Sequence, residues 1–408
     1  MTSTPVRPSQ SRRGPFAVVG AVVVVLALLV VWQVAPLLSS PAVATAVPGS
    51  TPVPSVLVVA PTPAPSPTPA PPTPEPTPPT VPSALTGLLI SPESALYHPI
   101  AVMVDDHVAA RPQSGFNSAA IVWHAPAEGG VPRYMMIFQD QVPAGVGPVR
   151  SSREYFIEWA AEWDAMYVHH GGSPQALATL AAKGHGQWVW NADGFRWSPK
   201  YLWRVNTRRA PHNVYTDGEH LRALAAKIGA DDGALTPVWR FAPDASLGER
   251  PVGGSIQVVY PYETITYKYD TASNRYVRYI NTSKTPQVDA EDNSVVAPAN
   301  VVILRMHFGP LNDGHPDKFR LEAADVGHGE AWISTNGITV KGTWRKASET
   351  APTLLFGPDG APVTLTAGQT FVQVLPLSYT FKITPGTFTG FVPEPSVAPS
   401  PQATPNPS

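Results

Sequence analysis

The stretch PTPAPSPTPAPPTPEPTPPTVPS, Pro61–Ser83, does most to limit what this chain can fold into. Proline fixes φ and removes a backbone donor, so its alternation with Thr, Ala and Ser favours polyproline II, a semi-rigid spacer without a core. A similar tail, EPSVAPSPQATPNPS, closes the sequence, and the 49 prolines among 408 residues are concentrated at the two ends. Residues 39–84 and 392–408 therefore read as disordered Pro-rich segments. The foldable region between them runs from about Leu85 to Val392.

Ahead of the spacer lies FAVVGAVVVVLALLVVWQVAPLL, Phe16–Leu38, an uncharged run preceded by Arg7, Arg12 and Arg13. Its length matches a hydrocarbon core of about 30 Å. No Lys or Arg follows until Arg111, an asymmetry that places residues 1–15 in the cytoplasm and everything after 38 outside. The rival reading is a cleaved signal sequence, with Ala42-Val43-Ala44 or Ala44-Thr45-Ala46 as the cleavage pattern. The expected partner at this end is the membrane, through the N-terminal helix. Cysteine is absent, which excludes disulfides, thiolate metal sites, cysteine nucleophiles and a lipid-modified cysteine. A net charge of −2 argues against nucleic acid as a partner.

Within the foldable region, PIAVMV (99–104) is a continuous apolar run typical of a strand buried on both faces, and AAIVWHA (119–125), RYMMIFQ (133–139) and AMYVHH (165–170) read as further strands. SSREYFIEWAAEW places Tyr155, Phe156, Trp159, Ala160 and Trp163 on one stripe at helical period. A second helix follows Ser173 as N-cap and Pro174 at the first helical position, and ends at Gly184. A third has Thr216 and Glu219 as a capping box and Gly229 as its stop. Residues 85–233 thus read as an α/β domain. Beyond it come short β-branched and aromatic segments, an Asn336-Gly337 hairpin signal and a Pro358-Asp359-Gly360 turn, so residues 237–391 read as a mostly β domain.

IAVMVDDHVAARPQSGF, EGGVPRYMMIFQ, GPVRSSREYF, YVHHGGSPQAL and RRAPHNVYT, with GTWRKASETAP and GQTFVQVLP nearer the C-terminus, resemble the YerB-like lipoprotein family, domain of unknown function 3048. The resemblance implies an α/β domain followed by a smaller β-rich domain on an exported, envelope-attached protein. It supplies no catalytic residues. This chain departs from the family pattern at the missing lipid-modified cysteine, which a transmembrane segment replaces, and at Asp106, where the family usually has Asn.

Ligands of open α/β sheets sit beyond the carboxyl ends of strands, where this sequence places Asp105, Asp106, His107, Glu128, His169 and His170. The His170-Gly171-Gly172-Ser173 turn opens a helix and offers backbone N–H groups to an anion. Arg111, Arg133, Arg150, Arg153, Arg208, Arg209 and His212 stand in turn-like motifs and could grip that anion, or pair structurally with Asp105, Asp106, Glu128 and Glu154. A metal set of Asp105, His107, His212 and one of His169 and His170 has no supporting motif spacing, so neither metal nor cofactor is expected. The leading reading is a membrane-tethered extracytoplasmic protein binding an anionic cell-wall or envelope ligand. The alternatives are an envelope glycan hydrolase or transferase using Asp105 or Glu128 with a histidine, and an adaptor for a protein partner that the sequence does not name. The sequence shows no reaction. The aromatic-rich Gln187–Trp203 stretch reads as a loop burying its own rings, with sugar or partner stacking as the rival.

Overall fold

The computed structural model describes residues 78–388. The apolar Phe16–Leu38 segment and both expected Pro-rich termini fall wholly or largely outside that range. Among the described residues no helix is long and apolar enough to cross a membrane. The architecture is β-rich with few helices. The strands of its two main sheets are numbered here in chain order.

The first set is β1 (Ile100–Asp105), β2 (Ile121–Pro126), β3 (Pro132–Phe138), β4 (Met166–His169) and β5 (Trp190–Asp193). The next is β6 (Ser255–Tyr260), β7 (Glu263–Asp270), β8 (Arg275–Ile280) and β9 (Asn300–Met306). The last is β10 (Gly327–Thr335), β11 (Ile338–Lys346), β12 (Leu354–Phe356), β13 (Thr370–Pro376) and β14 (Thr380–Thr384). Ten of them form one sheet in the order β12-β11-β10-β9-β13-β2-β3-β1-β4-β5, and β8-β7-β6-β14 form a second. The 85–233 and 237–391 segments therefore share one sheet. Its seam is β13, which runs parallel to β9 on one side and to β2 on the other. β13 fills that central place because TFVQVLP is buried at all seven positions.

The continuous apolar runs do what two-sided burial requires. Val102, Val104, Val122 and Met136 face the second sheet through Ile256, Val258, Ile265 and Tyr267. Ala101, Met103, Trp123 and Met135 face the opposite layer. That layer holds α1 (Glu154–Ala161) and α2 (Pro174–Lys183), and Trp123 stacks on Trp159 of α1 at 4.8 Å. In the second sheet only alternate residues are buried, as a half-exposed antiparallel sheet demands.

Ser173 caps α2 by accepting from the Ala176 N–H. The helix following β5 spans Gly194–Trp197, so the aromatic-rich stretch is a strand and a short helix rather than an irregular loop. The helix Gly218–Ile228 ends at Gly229 in the left-handed region, but its cap is Asp217, which accepts from the His220 N–H. Thr216 is not the cap, because its hydroxyl donates to the Tyr201 carbonyl instead. Asn336 and Gly337 both take positive φ between β10 and β11, the requirement of a type I′ hairpin.

Candidate functional site

Asp105 ends β1 and Asp106 follows it, and the alternation of the extended chain sends them to opposite faces. Asp105 shares the face of Met103. Its Oδ1 accepts from the His107 N–H, and its Oδ2 lies 2.5 Å from His212 Nδ1. The same oxygen is 3.1 Å from Arg150 Nε, a buried atom that finds no hydrogen bond of acceptable geometry. The His107 and His212 rings stack at 4.6 Å, and His107 Nδ1 accepts from the Ala109 N–H. Arg150 lies here because its segment is pinned along β1: Asp105 N donates to Pro148 O, and Arg150 N to Met103 O.

Arg133, directly opposite Asp105 on β3, and Arg153, the residue preceding α1, are both buried and both gripped by Glu128. Arg133 reaches Glu128 Oε1 at 2.7 Å and Arg153 Nε reaches Oε2 at 2.9 Å. Burial opposes ionisation of Glu128, but the two guanidinium groups overcome it and hold its pKa at about 2. Glu128 is thus the acidic partner that lets an arginine sit beside a helix N-terminus. Arg150 has its pKa lowered, first by burial and then by repulsion from Arg133 despite Asp105.

The glycine turn sits alongside this cluster. His170 N donates to Arg150 O, Ser152 N to Gly171 O, and Ser173 N to Ser152 O. The Gly171 N–H is taken by Asp193 Oδ1 at 3.1 Å. The structure therefore gathers Arg133, Arg150, Arg153, Glu128, Asp105 and His212 beside the turn. His170 packs on Phe195, and His169 is a buried packing residue bonded to Gly171 O and Asn191 Oδ1. Arg209 is exposed on the loop that carries His212, whereas Arg208 straps that loop to the Ala109, Arg111 and Pro112 carbonyls.

Arg111 belongs to the other face. There Asp106 enters the space between the two sheets and receives Arg111, Gln113 and His124. Arg111 also bridges to Glu263, the first residue of β7. Burial works against ionisation of Asp106, but the hydrogen bond and charge of His124 and the Arg111 guanidinium hold its pKa far below the usual carboxylate range. Glu263 goes the other way: burial and the neighbouring Asp106 push it up to about 9. Burial lowers His124. Behind them Arg278 is fully buried and bonded to the Tyr134 and Tyr267 hydroxyls. A cavity of about 380 Å³ opens onto Asp106, His107, Arg111 and Glu263 between Val131, Pro132 and Tyr262.

Asp106, His124 and Glu263 bring donor atoms within 4.8 Å of one another, closer than any other His/carboxylate trio among the described residues. The guanidinium of Arg111 already bridges the two carboxylates where a cation would stand, so this donor set does not fit a metal. Glu263, His124 and Arg278 were not singled out by the sequence. Their signal is strand alternation, since Glu263 keeps the inward period of Ile265, Tyr267 and Tyr269.

A β-rich two-sheet scaffold with a polar site at the carboxyl end of β1 is the class these features define. The chain belongs to the family described as "Protein of unknown function (DUF3048)": residues 85–231 match its N-terminal domain and 256–372 its C-terminal domain. It is 30% identical over 300 residues to the Bacillus subtilis (strain 168) protein named "Putative lipoprotein YerB", covering 72% of this chain and 85% of that one. The crystal structure of the YerB protein from Bacillus subtilis is similar at a TM-score of 0.65 and 26% identity, covering 74% of this chain and 99% of that one.

Proposed function

We propose that this protein is an extracytoplasmic envelope protein, held at the membrane by Phe16–Leu38, that binds an anionic group of a cell-envelope component beside β1. The observation carrying this reading is the unbalanced charge around Arg150. Three guanidinium groups, Arg133, Arg150 and Arg153, share two carboxylates, Asp105 and Glu128, and Arg150 alone lacks a well-formed ionic hydrogen bond. Arg150 keeps about a quarter of its side-chain surface, next to the stacked His107 and His212 rings. A phosphate or carboxylate there would receive a fork of N–H donors. Arg209 would add attraction over a Debye length of about 8 Å. The lipoprotein name of the relative supports the compartment. Since this chain has no cysteine, the apolar segment takes the place of the lipid.

The test is calorimetric titration of the full-length chain with phosphorylated and carboxylated envelope glycans. One anion class should bind, and Arg150→Gln should weaken it by about tenfold or more, as expected for loss of a charge-assisted bond. Binding unchanged in a folded Arg150→Gln protein overturns the reading. A second reading rests on the 2.5 Å contact of Asp105 with His212 Nδ1, which orients that ring as a carboxylate–histidine pair does in acid–base catalysis. It requires turnover of the bound glycan that His212→Gln abolishes while binding persists.

A further inference from the structure

Beside α1, two carboxyl groups meet with no basic group in salt-bridge contact. Glu158 of α1 faces Asp325, which lies between the short strand Leu321–Ala323 and β10. Asp325 is only 4% exposed, and its Oδ2 is buried without a hydrogen-bond donor. Both residues line a polar cavity of about 210 Å³ with Glu154, Gln175 and Glu322. Four carboxyl groups and one amide surround this space, and no Lys, Arg or His lines it. The nearest cation, the Lys346 ammonium, is already spent on Glu162 Oε1, Glu158 O and Ala351 O. Glu154 is held at the rim by the Thr179 hydroxyl at 2.6 Å.

Two facing carboxylates cannot both ionise in a partly buried site unless a positive charge comes between them. A proton is one solution, and burial together with Asp325 does raise Glu158, to about 9. The cavity offers the other. We infer that Glu158, Asp325 and the surrounding oxygens form a binding site for a hard divalent cation of the calcium type, which ties α1 to the Leu321–Val326 segment. The donors are all oxygen, which excludes soft metals. They are irregularly placed and leave room for water, which suits the six to eight flexible ligands of Ca²⁺ better than the strict octahedron of Mg²⁺. Binding two carboxylates firmly and the rest through water gives a weak site, with Kd on the order of 10⁻⁴–10⁻³ M, the range of extracellular modules.

The full-length chain, freed of metal by chelator, is titrated with CaCl₂ by calorimetry and unfolded thermally with and without about 10 mM Ca²⁺, against MgCl₂ at equal ionic strength. One Ca²⁺ per chain should bind, and the melting temperature should rise by about 2–6 °C. Asp325→Asn and Glu158→Gln should each weaken binding by about tenfold or more, while exposed Asp359→Asn should not. Glu158→Gln, on the more open side, serves if Asp325→Asn does not fold. Saturable binding that survives in whichever variant folds overturns the site. Its absence in the folded wild type overturns it also, and assigns the pair a shared proton. Neither result touches the anion site around Arg150.

Discussion

Replacing Lys346 with Met should be among the most damaging single changes the fold can suffer. Lys346 ends β11, and its side chain and that of Glu162 are both fully buried. The ammonium donates to Glu162 Oε1 at 2.9 Å, to Ala351 O at 2.7 Å and to Glu158 O at 3.3 Å. Thr353 completes the carboxylate's shell through its N–H at 3.0 Å and its hydroxyl at 2.6 Å. Methionine matches the stem of lysine, so little packing is lost. What remains is a carboxylate stripped of its counter-charge and two orphaned carbonyls, a loss of about 3–5 kcal/mol. That corresponds to a drop in melting temperature on the order of 10 °C. Urea unfolding of wild type, Lys346→Met, and Lys346→Met with Glu162→Gln measures it. The double variant keeps an acceptor for Thr353 without the charge, and should recover more than half of the loss. A cost below about 1 kcal/mol for the single variant, or no recovery in the double, refutes the assignment of the loss to an uncompensated buried charge.

The Glu128→Ala change should cost about 3 kcal/mol in urea unfolding, since it leaves the buried Arg133 and Arg153 without a counter-charge. A loss under about 1 kcal/mol would mean that the Ser151 and Ser152 carbonyls satisfy them. Stability should also fall as pH rises from the ordinary glutamate value of 4.5 to about 9, because native Glu263 keeps a proton that the unfolded chain releases. Asp106 acts with the opposite sign, but only below its ordinary 3.8. Denaturant unfolding across that range should therefore slope downward, with Glu158 sharing the slope because it is raised in the same way, and Glu263→Gln should make it shallower by Glu263's share. A rising slope in the wild type contradicts the proton on Glu263.

Much of the scaffold was legible because it rests on local patterns. PIAVMV, AAIVWHA and RYMMIFQ sit within two residues of β1, β2 and β3, since continuous apolar runs report two-sided burial directly. Ser173, Gly184 and Gly229 punctuate their helices as their chemistry requires. The shared sheet was not legible, because nothing local in TFVQVLP says whether its neighbours lie 70 or about 250 residues away. The same holds at the site. Asp105 and Asp106 were found, and their division between two faces followed from alternation. Their partners could not follow, because Asp105–His212 and Asp106–Glu263 are joined by tertiary packing across 107 and 157 positions of sequence. Glu128 with Arg133 and Arg153 was closer to view, as acids and bases near one helix start invite pairing.

The place of β13 has a consequence for how the molecule is made. Synthesis delivers β2 some 250 residues before the strand that covers its outer side. Through that interval β1, β2 and β3 can pair among themselves, yet the row of amides from Ile121 to His124 stays open. The nascent protein is therefore a sheet waiting for its middle, and it closes only when Thr370–Gln373 arrive. A chain cut after residue 233 never closes. It should stick to other copies through β2, so the two family segments, separable in sequence, are inseparable in assembly.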